Sequence, residues 1–299
     1  MNVTKHYFKL FNNIKCLNFK YASNLRFVSN TANPAAESSQ EGTTHFGFQT
    51  VKEEEKQQKV HKVFEDVAKS YDLMNDAMSM GIHRVWKDMF IERLGPTPGT
   101  RLLDMAGGTG DISFRYLKYL QNQANPQGKQ SHVTVSDINQ HMLNVGEERA
   151  KRLGLTQEKL PNISIDWKCA NAEELPFADN TYNAYTIAFG IRNCTHIDKV
   201  LREAYRVLQP GGRFMCLEFS HLENDTMQWL YDQYSFQVIP PMGQILAGQW
   251  QPYQYLVESI RKFPKQEDFK RMIEEAGFEM VRYENLTFGV VSIHSGFKL

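Results

Sequence analysis

The stretch LLDMAGGTGD, Leu102 to Asp111, is the feature that most constrains the fold of this chain. An apolar run ends in an aspartate, turns through Gly107, Gly108 and Gly110, and enters an amphipathic segment. This reads as a buried strand, a turn and a helix, and such a turn brings bare backbone close to a ligand. The pattern repeats. RLLDM (101–105), HVTVSD (132–137), NISIDWKCA (162–170), AYTIAF (184–189) and RFMCLEFS (213–220) read as strands, and 111–120, 139–153 and 195–208 as helices. PGG before Arg213 reads as a turn. Alternation of this kind builds a parallel α/β sheet with helical crossovers. After a helix over 265–277, stopped at Gly277, two strands (278–286 and 289–297) are joined by Thr287-Phe288 alone. That link is too short for a parallel return, so the pair is antiparallel. The expected architecture is a Rossmann-like, seven-stranded, mostly parallel sheet with an antiparallel C-terminal hairpin, unlike the all-parallel dinucleotide-binding fold.

The flanking segments differ in character. Residues 1–36 hold five basic residues (Lys5, Lys9, Lys15, Lys20, Arg26) and no Asp or Glu, spaced among apolar ones. This is the composition of a mitochondrial presequence, and a tail without structure is the alternative. Residues 37–59 read as a polar linker. Val60–Leu94 reads as a helical lid broken near Ser79–Gly81. The segment 225–262, aromatic-rich and containing Pro240-Pro241, reads as a helical insertion over the core. It could serve as a wall for an apolar ligand, as ordinary core, as a dimer interface or as a membrane-facing surface. No run approaches the length of a spanning helix.

The chain of 299 residues has 34 basic and 34 acidic residues. Without residues 1–36 the balance becomes 29 against 34. Nucleic-acid binders carry a basic face, so the balance argues against such a partner. Cys16, Cys169, Cys194 and Cys216 lack metal-ligand spacing, and neither a zinc site nor a disulfide framework is expected.

The glycine turn does not fit the G-x-G-x-x-G dinucleotide fingerprint or the P-loop. Asp104 before it and Asp111 after it would repel a pyrophosphate and suit a cationic ligand. Asp137, at the end of the second strand, stands where an acidic residue accepts hydrogen bonds from ribose hydroxyls. ANAEELPF (170–177) makes an acidic turn after the third strand, with Asn171 placed to frame an adenine. Together these favour S-adenosylmethionine, which carries a sulfonium, an ammonium and a ribose but no phosphate, over NAD. Each residue also has a plainer reading: Asp104 as a cap for the neighbouring helix, Asp137 as a helix N-cap, and the third turn as ordinary turn chemistry.

VFEDVAKSYDLMNDAMSMGIHRVWK (63–87), LLDMAGGTGD (102–111), SDINQHML (136–143), ANAEELPFADNTY (170–182), FGIRN (189–193) and VLQPGGRFMCLEFS (207–220) resemble the ubiquinone/menaquinone biosynthesis C-methyltransferases. The resemblance covers roughly residues 60–299. It implies the class I S-adenosylmethionine-dependent methyltransferase fold and C-methylation of a polyprenyl benzoquinol. It also implies a place among other coenzyme Q biosynthesis proteins, a homodimer, and peripheral contact with the matrix face of the mitochondrial inner membrane. Within the site it implies that Asp104, Gly108, Thr109, Gly110, Asp137, Asn171 and Ala172 hold the cofactor. Arg192 and Asn193 would meet the methyl acceptor, and Tyr71 and Asp72 would belong to a lid over it. Ala188 stands where relatives often carry Ser. A non-catalytic cofactor-binding scaffold and an O- or N-methyltransferase share the cofactor loop, though the latter would not call for FGIRN.

Ring-carbon methylation needs an electron-rich carbon. A quinol supplies one when a phenolic proton, with a pKa near ~10 as in tyrosine, is lost. Arg192 is the expected phenolate stabiliser, because it stays charged and aims fixed donors. Asn193 would orient a water or a quinol oxygen, and Tyr71 and Asp72 are candidate proton acceptors. His83 and His196 are also candidate bases, though a helix-surface role is expected for each.

Overall fold

Alternating apolar side chains on β3 (Arg101–Met105) send Leu102 to one face of a sheet and Leu103 to the other, and both are fully buried. The computed structural model describes residues 42–67, 71–155, 159–160 and 162–299, and only the backbone over 64–67 and 71–73. The expected presequence, 1–36, lies outside the described residues.

Seven strands form the sheet in the order β5-β4-β3-β6-β7-β9-β8: β4 Ser131–Asp137, β5 Ile163–Cys169, β6 Tyr182–Ala188, β7 Leu208–Phe219, β8 Glu279–Leu286 and β9 Val291–Phe297. β5, β4, β3, β6 and β7 run parallel, and β9 pairs antiparallel with both β7 and β8. The expected sheet and C-terminal hairpin are both present. On one face, Leu102, Val133 and Leu217 pack against Trp86 and Phe90 of α3 (Ile82–Leu94), Leu117 of α4 (Asp111–Gln121) and Leu143 of α5 (Gln140–Leu153). On the other, Leu103, Ile187 and Phe214 pack against Val200 and Ala204 of α6 (Ile197–Val207) and Phe269 of α9 (Gln266–Glu275).

Two expectations are corrected. The segment read as a linker over 37–59 instead holds, in its described part, an antiparallel hairpin of β1 (Thr43–Phe46) and β2 (Gln49–Lys52). The first helix, α1 (Glu53–Val67), follows at once. These strands are four residues long and largely polar; they are held in part by Phe46 stacking on Tyr255 at 4.1 Å, a contact 209 positions away that no local pattern announces. Pro210-Gly211-Gly212 does not end the preceding structure either. It lies inside β7, as a bulge between the pairs Tyr182–Leu208 and Ala184–Arg213.

The lid reading over 60–94 corresponds to α1, α2 (Tyr71–Ser79) and α3, with the break at Met80 and Gly81, both left-handed (φ 50° and 80°). The insertion becomes α7 (Asp225–Ala247), which continues through Pro240 and Pro241, and α8 (Gln251–Lys262). Tyr234 of α7 donates to the Met78 carbonyl of α2 (2.8 Å), tying insertion to lid.

Candidate active site

Five parallel strands present their carboxyl ends along one edge, where ligands collect in such sheets. A cavity of about 280 Å³ opens there. Its wall includes Gly108 after β3, Asp137 at the end of β4, Asn171, Ala172 and Glu173 after β5, and Ala188 to Gly190 after β6. Glu53 and His61 of α1 cover it.

The turns are built by close approach. A Cβ on Gly107 would lie 2.6 Å from Val135 Cγ1, and one on Gly190 would collide with the Ala106 methyl. Ala106 and Phe189 both hold left-handed backbone (φ 52° and 56°), which non-glycine residues adopt rarely. Such conformations persist where the surroundings over-determine them.

Asp137 Oδ2 accepts from Gly108 N (3.0 Å) and Oδ1 from Asn139 N (2.8 Å). Each oxygen keeps a lone-pair direction for a hydroxyl. Burial pushes its carboxyl up, against those backbone bonds. The cap of α5 is Asn139, whose side chain accepts from Met142 N, so Asp137 is not committed to that task.

The loop carboxylates do otherwise. Asp104 accepts from Ser113 Oγ (2.6 Å) and Thr186 Oγ1 (2.9 Å), and burial pushes it up to about 6. Asp111 is taken by Lys87 Nζ (2.7 Å) and Arg115 Nε (3.5 Å). Burial raises the Asp111 carboxyl, but those two cations outweigh it and hold it below its ordinary value. Asp104, Thr109, Gly110 and Asp111 are not on the cavity wall. The acidic groups that are there, besides Asp137, are Glu173 and Glu53. His196, expected on a helix surface, stands between these two: Nδ1 is 2.8 Å from Glu173 Oε2 and Nε2 is 3.3 Å from Glu53 Oε1. Lys56, almost wholly buried, donates to the Cys194 carbonyl (2.9 Å) and binds α1 to the same rim. Burial lowers its ammonium pKa.

Phe189 forms a partition. It lines the first cavity and also a second one of about 80 Å³, walled by Met74, Met78, Phe219, Tyr253, Tyr255 and Leu256, with Arg192, His83 and Lys87 as its basic members. Arg192 Nη1 donates to Glu218 Oε1 (2.9 Å) and to the Phe189 carbonyl (2.6 Å), and the guanidinium lies over the Phe219 ring. Its Nε is buried without a partner among the described residues. Burial raises the Glu218 carboxyl pKa, against the pull of Arg192. Asn193 is on the first cavity's wall and accepts at Oδ1 from the Tyr255 hydroxyl (3.0 Å). His83, also expected on a surface, is buried. Tyr71 and Asp72 open α2, and their side chains lie outside the described residues.

Sequence reasoning therefore placed Gly108, Asp137, Asn171, Ala172, Arg192 and Asn193 on the two cavities. It missed Glu218, Phe189 and Tyr255. FGIRN contains Phe189, and LEFS contains Glu218 at a strand end, so position along the sheet was the available signal. Tyr255, on an insertion helix, carried none.

This sheet, with its ligand edge and reversed last strand, defines the class I S-adenosylmethionine-dependent methyltransferase fold. Similar folds occur in a SAM-dependent methyltransferase from Aquifex aeolicus (TM-score 0.50, 18% identity, 71% of this chain and 89% of that one). The [4+2]-cyclase SpnF matches with a TM-score of 0.55 at 17% identity, over 81% and 95% of the two chains, and shows that the fold alone does not set the reaction. The model of the ubiE/COQ5 methyltransferase family matches residues 51–298, and the chain belongs to that family and is a methyltransferase. It is 80% identical to the mitochondrial 2-methoxy-6-polyprenyl-1,4-benzoquinol methylase of Drosophila melanogaster, over 88% of this chain and 87% of that protein. It is 55% identical to the human protein of the same name, over 86% and 84%.

Proposed function

We propose that this protein transfers a methyl group from S-adenosylmethionine to a ring carbon of 2-methoxy-6-polyprenyl-1,4-benzoquinol in ubiquinone biosynthesis. The observation that carries the reading is the pair of cavities divided by Phe189, one acidic and one apolar with a buried Arg192. The relatives named above support the substrate.

The first cavity fits S-adenosylmethionine. Asp137 has lone pairs for the ribose hydroxyls, Gly108 offers close backbone approach, and Asn171 with Ala172 frames an adenine. Glu173 and Glu53 supply negative surroundings for the sulfonium and ammonium groups. When bound, S-adenosylmethionine supplies an electrophilic methyl group. Asp104 and Asp111 act on the cavity indirectly, by holding the glycine turn and the start of α4. Thr109 and Gly110 shape the same turn.

In the second cavity the quinol ring lies among apolar side chains, with Arg192 facing the developing phenolate. Glu218 and the Phe189 carbonyl fix the guanidinium before substrate arrives, so its charge needs no reorganisation during reaction. Asn193, held by Tyr255, borders the partition and orients a quinol oxygen. Tyr71 and Asp72 enter the lid at the start of α2. Positioning the methyl group and the ring carbon in line where the two cavities adjoin at Phe189 contributes several kcal/mol, up to roughly 7–11 in the best model systems.

Within the cell we place the protein in the mitochondrial matrix, peripheral on the inner membrane, as a homodimer among other coenzyme Q biosynthesis proteins. Trp229, Leu230, Ile245 and Leu246 of α7 are exposed and offer an apolar contact for a membrane or a second copy. No helix among the described residues is long and apolar enough to cross a membrane.

The test uses protein lacking residues 1–36, labelled S-adenosylmethionine and a short-tailed 2-methoxy-benzoquinol. Label on a ring carbon supports the reading. Label on oxygen refutes the carbon nucleophile, and cofactor binding without transfer turns the protein into a scaffold.

A further inference from the structure

The reaction proposed above requires a group that takes the phenolic proton, and this inference rests on that reading. Arg192 stays protonated. Lys87 is engaged with Asp111 as a cation. Tyr255 donates to Asn193, and burial raises its pKa further. His83 differs. It lines the same cavity as Arg192, and its Nε2 lies 2.8 Å from Asp76 Oδ1. Asp76 is held ionised, because Arg84 binds it through Nε (2.9 Å) and Nη2 (2.8 Å) and keeps its carboxyl well below the usual range. An ionised carboxylate only accepts, so Nε2 carries the proton and Nδ1 keeps its lone pair. Nδ1 is buried and has no partner among the described residues, whereas buried ring nitrogens are ordinarily hydrogen-bonded.

We propose that His83 is the general base of the methyl transfer, with Asp76 as the positioning residue that sets its tautomer. The phenolic O–H breaks and its proton goes to Nδ1, while the oxygen electron pair flows into the ring. The ring carbon forms the new bond to the methyl group, and the carbon–sulfur pair stays on sulfur. The carbon then releases its own proton to solvent, the ring regains aromaticity, and the His83 proton returns to the oxygen. One proton is released per turnover.

The groups facing His83 act in both directions. Burial lowers its pKa, Asp76 raises it, and Lys87 and Arg84 on the same helix lower it. Arg192, Tyr253 and Tyr255 face it across the cavity. The ring is therefore neutral, and ready to accept, at the pH of the matrix.

Two variants of the full-length protein test this. His83→Gln removes the base. Asp76→Asn leaves a partner for the ring but permits an amide N–H to face Nε2, which moves the proton to Nδ1. Both are assayed with reduced short-tailed quinol across pH, and for binding of an alkyl-tailed 4-nitrophenol, whose visible absorbance reports phenolate. The expected result is a fall in kcat of about 100-fold or more in each, the size of a general-base contribution. KM stays within about threefold, the acid limb of the wild-type profile disappears, and the bound nitrophenol loses its phenolate absorbance. Wild-type transfer with unchanged kcat and unchanged nitrophenolate in both variants overturns the proposal while the methyltransferase reading stands. A wild type that binds the nitrophenol as phenolate yet transfers no methyl to quinol carbon overturns both.

Discussion

Ala106 packs against Gly190, and Ala106 and Phe189, the residue before Gly190, both hold backbone conformations that side chains disfavour; this junction borders the proposed cofactor cavity. Gly190→Ala forces the two turns apart, so affinity for S-adenosylmethionine should fall about tenfold or more, roughly 1.4 kcal/mol, by titration calorimetry. Unchanged affinity would mean the junction yields without cost. The Arg192–Glu218 pair carries a second prediction. Glu218→Gln leaves a buried guanidinium without its counter-charge, and breaking such a pair costs about 3–5 kcal/mol. A urea unfolding free energy lowered by that much, together with lost methyl transfer, is the expected outcome. Arg192 was legible in the sequence because FGIRN sits at a strand end. Glu218 was not: 26 positions separate the pair, and only the parallel pairing of β6 with β7 brings them together. The two loop carboxylates were misjudged for a related reason. Sequence shows that a carboxylate is present, but not that Ser113, Thr186, Lys87 and Arg115 already occupy it.

Among the elements, the central strands of the main sheet were readable as apolar runs ended by turns, and the edge strands β5 and β8 from their place between turns. Their edges shifted by only a few residues, apart from β7, which runs back through Pro210-Gly211-Gly212. The β1–β2 hairpin was not readable, since its stability comes from contacts such as that of Phe46 with Tyr255 in a distant helix. Tyr255→Phe keeps that stack and removes the hydroxyl bonded to Asn193. It strands the Asn193 side chain, and leaving a buried polar group unsatisfied costs about 1–3 kcal/mol, so kcat/KM should drop roughly five- to 100-fold. An unaffected kcat/KM would place Asn193 outside the acceptor site. β9 is tied to α9 through His294, whose Nε2 donates to the Gln266 carbonyl at 3.0 Å. Burial lowers the His294 pKa from 6.5 to about 4. The folded state thus binds this proton less readily than the unfolded chain does. The contribution is fully present above pH 6.5 and is lost as the pH falls toward 4, amounting to about 3 kcal/mol. His294→Gln should flatten the thermal midpoint over that interval, and an unchanged slope would assign the acid sensitivity elsewhere.

At the scale of the whole molecule, the sheet edge supplies the turns around the first cavity, the N-terminal helices cover them, and the insertion closes the second. The exposed apolar residues of α7 lie on that insertion. Trp229→Asp combined with Ile245→Asp should reduce cosedimentation with cardiolipin-containing vesicles severalfold, while turnover of a short-tailed, water-soluble quinol is unchanged. Undiminished cosedimentation would contradict a membrane contact through α7. On the proposed reading, two adjoining cavities that share Phe189 as a wall hold a methyl donor and an electron-rich quinol. The most direct measurement compares label transfer from S-adenosylmethionine to the same short-tailed benzoquinone in its oxidised and fully reduced forms. Ring-carbon label is expected with the reduced form alone, because only the quinol can become a phenolate. Equal labelling of the oxidised form would contradict the proposed chemistry.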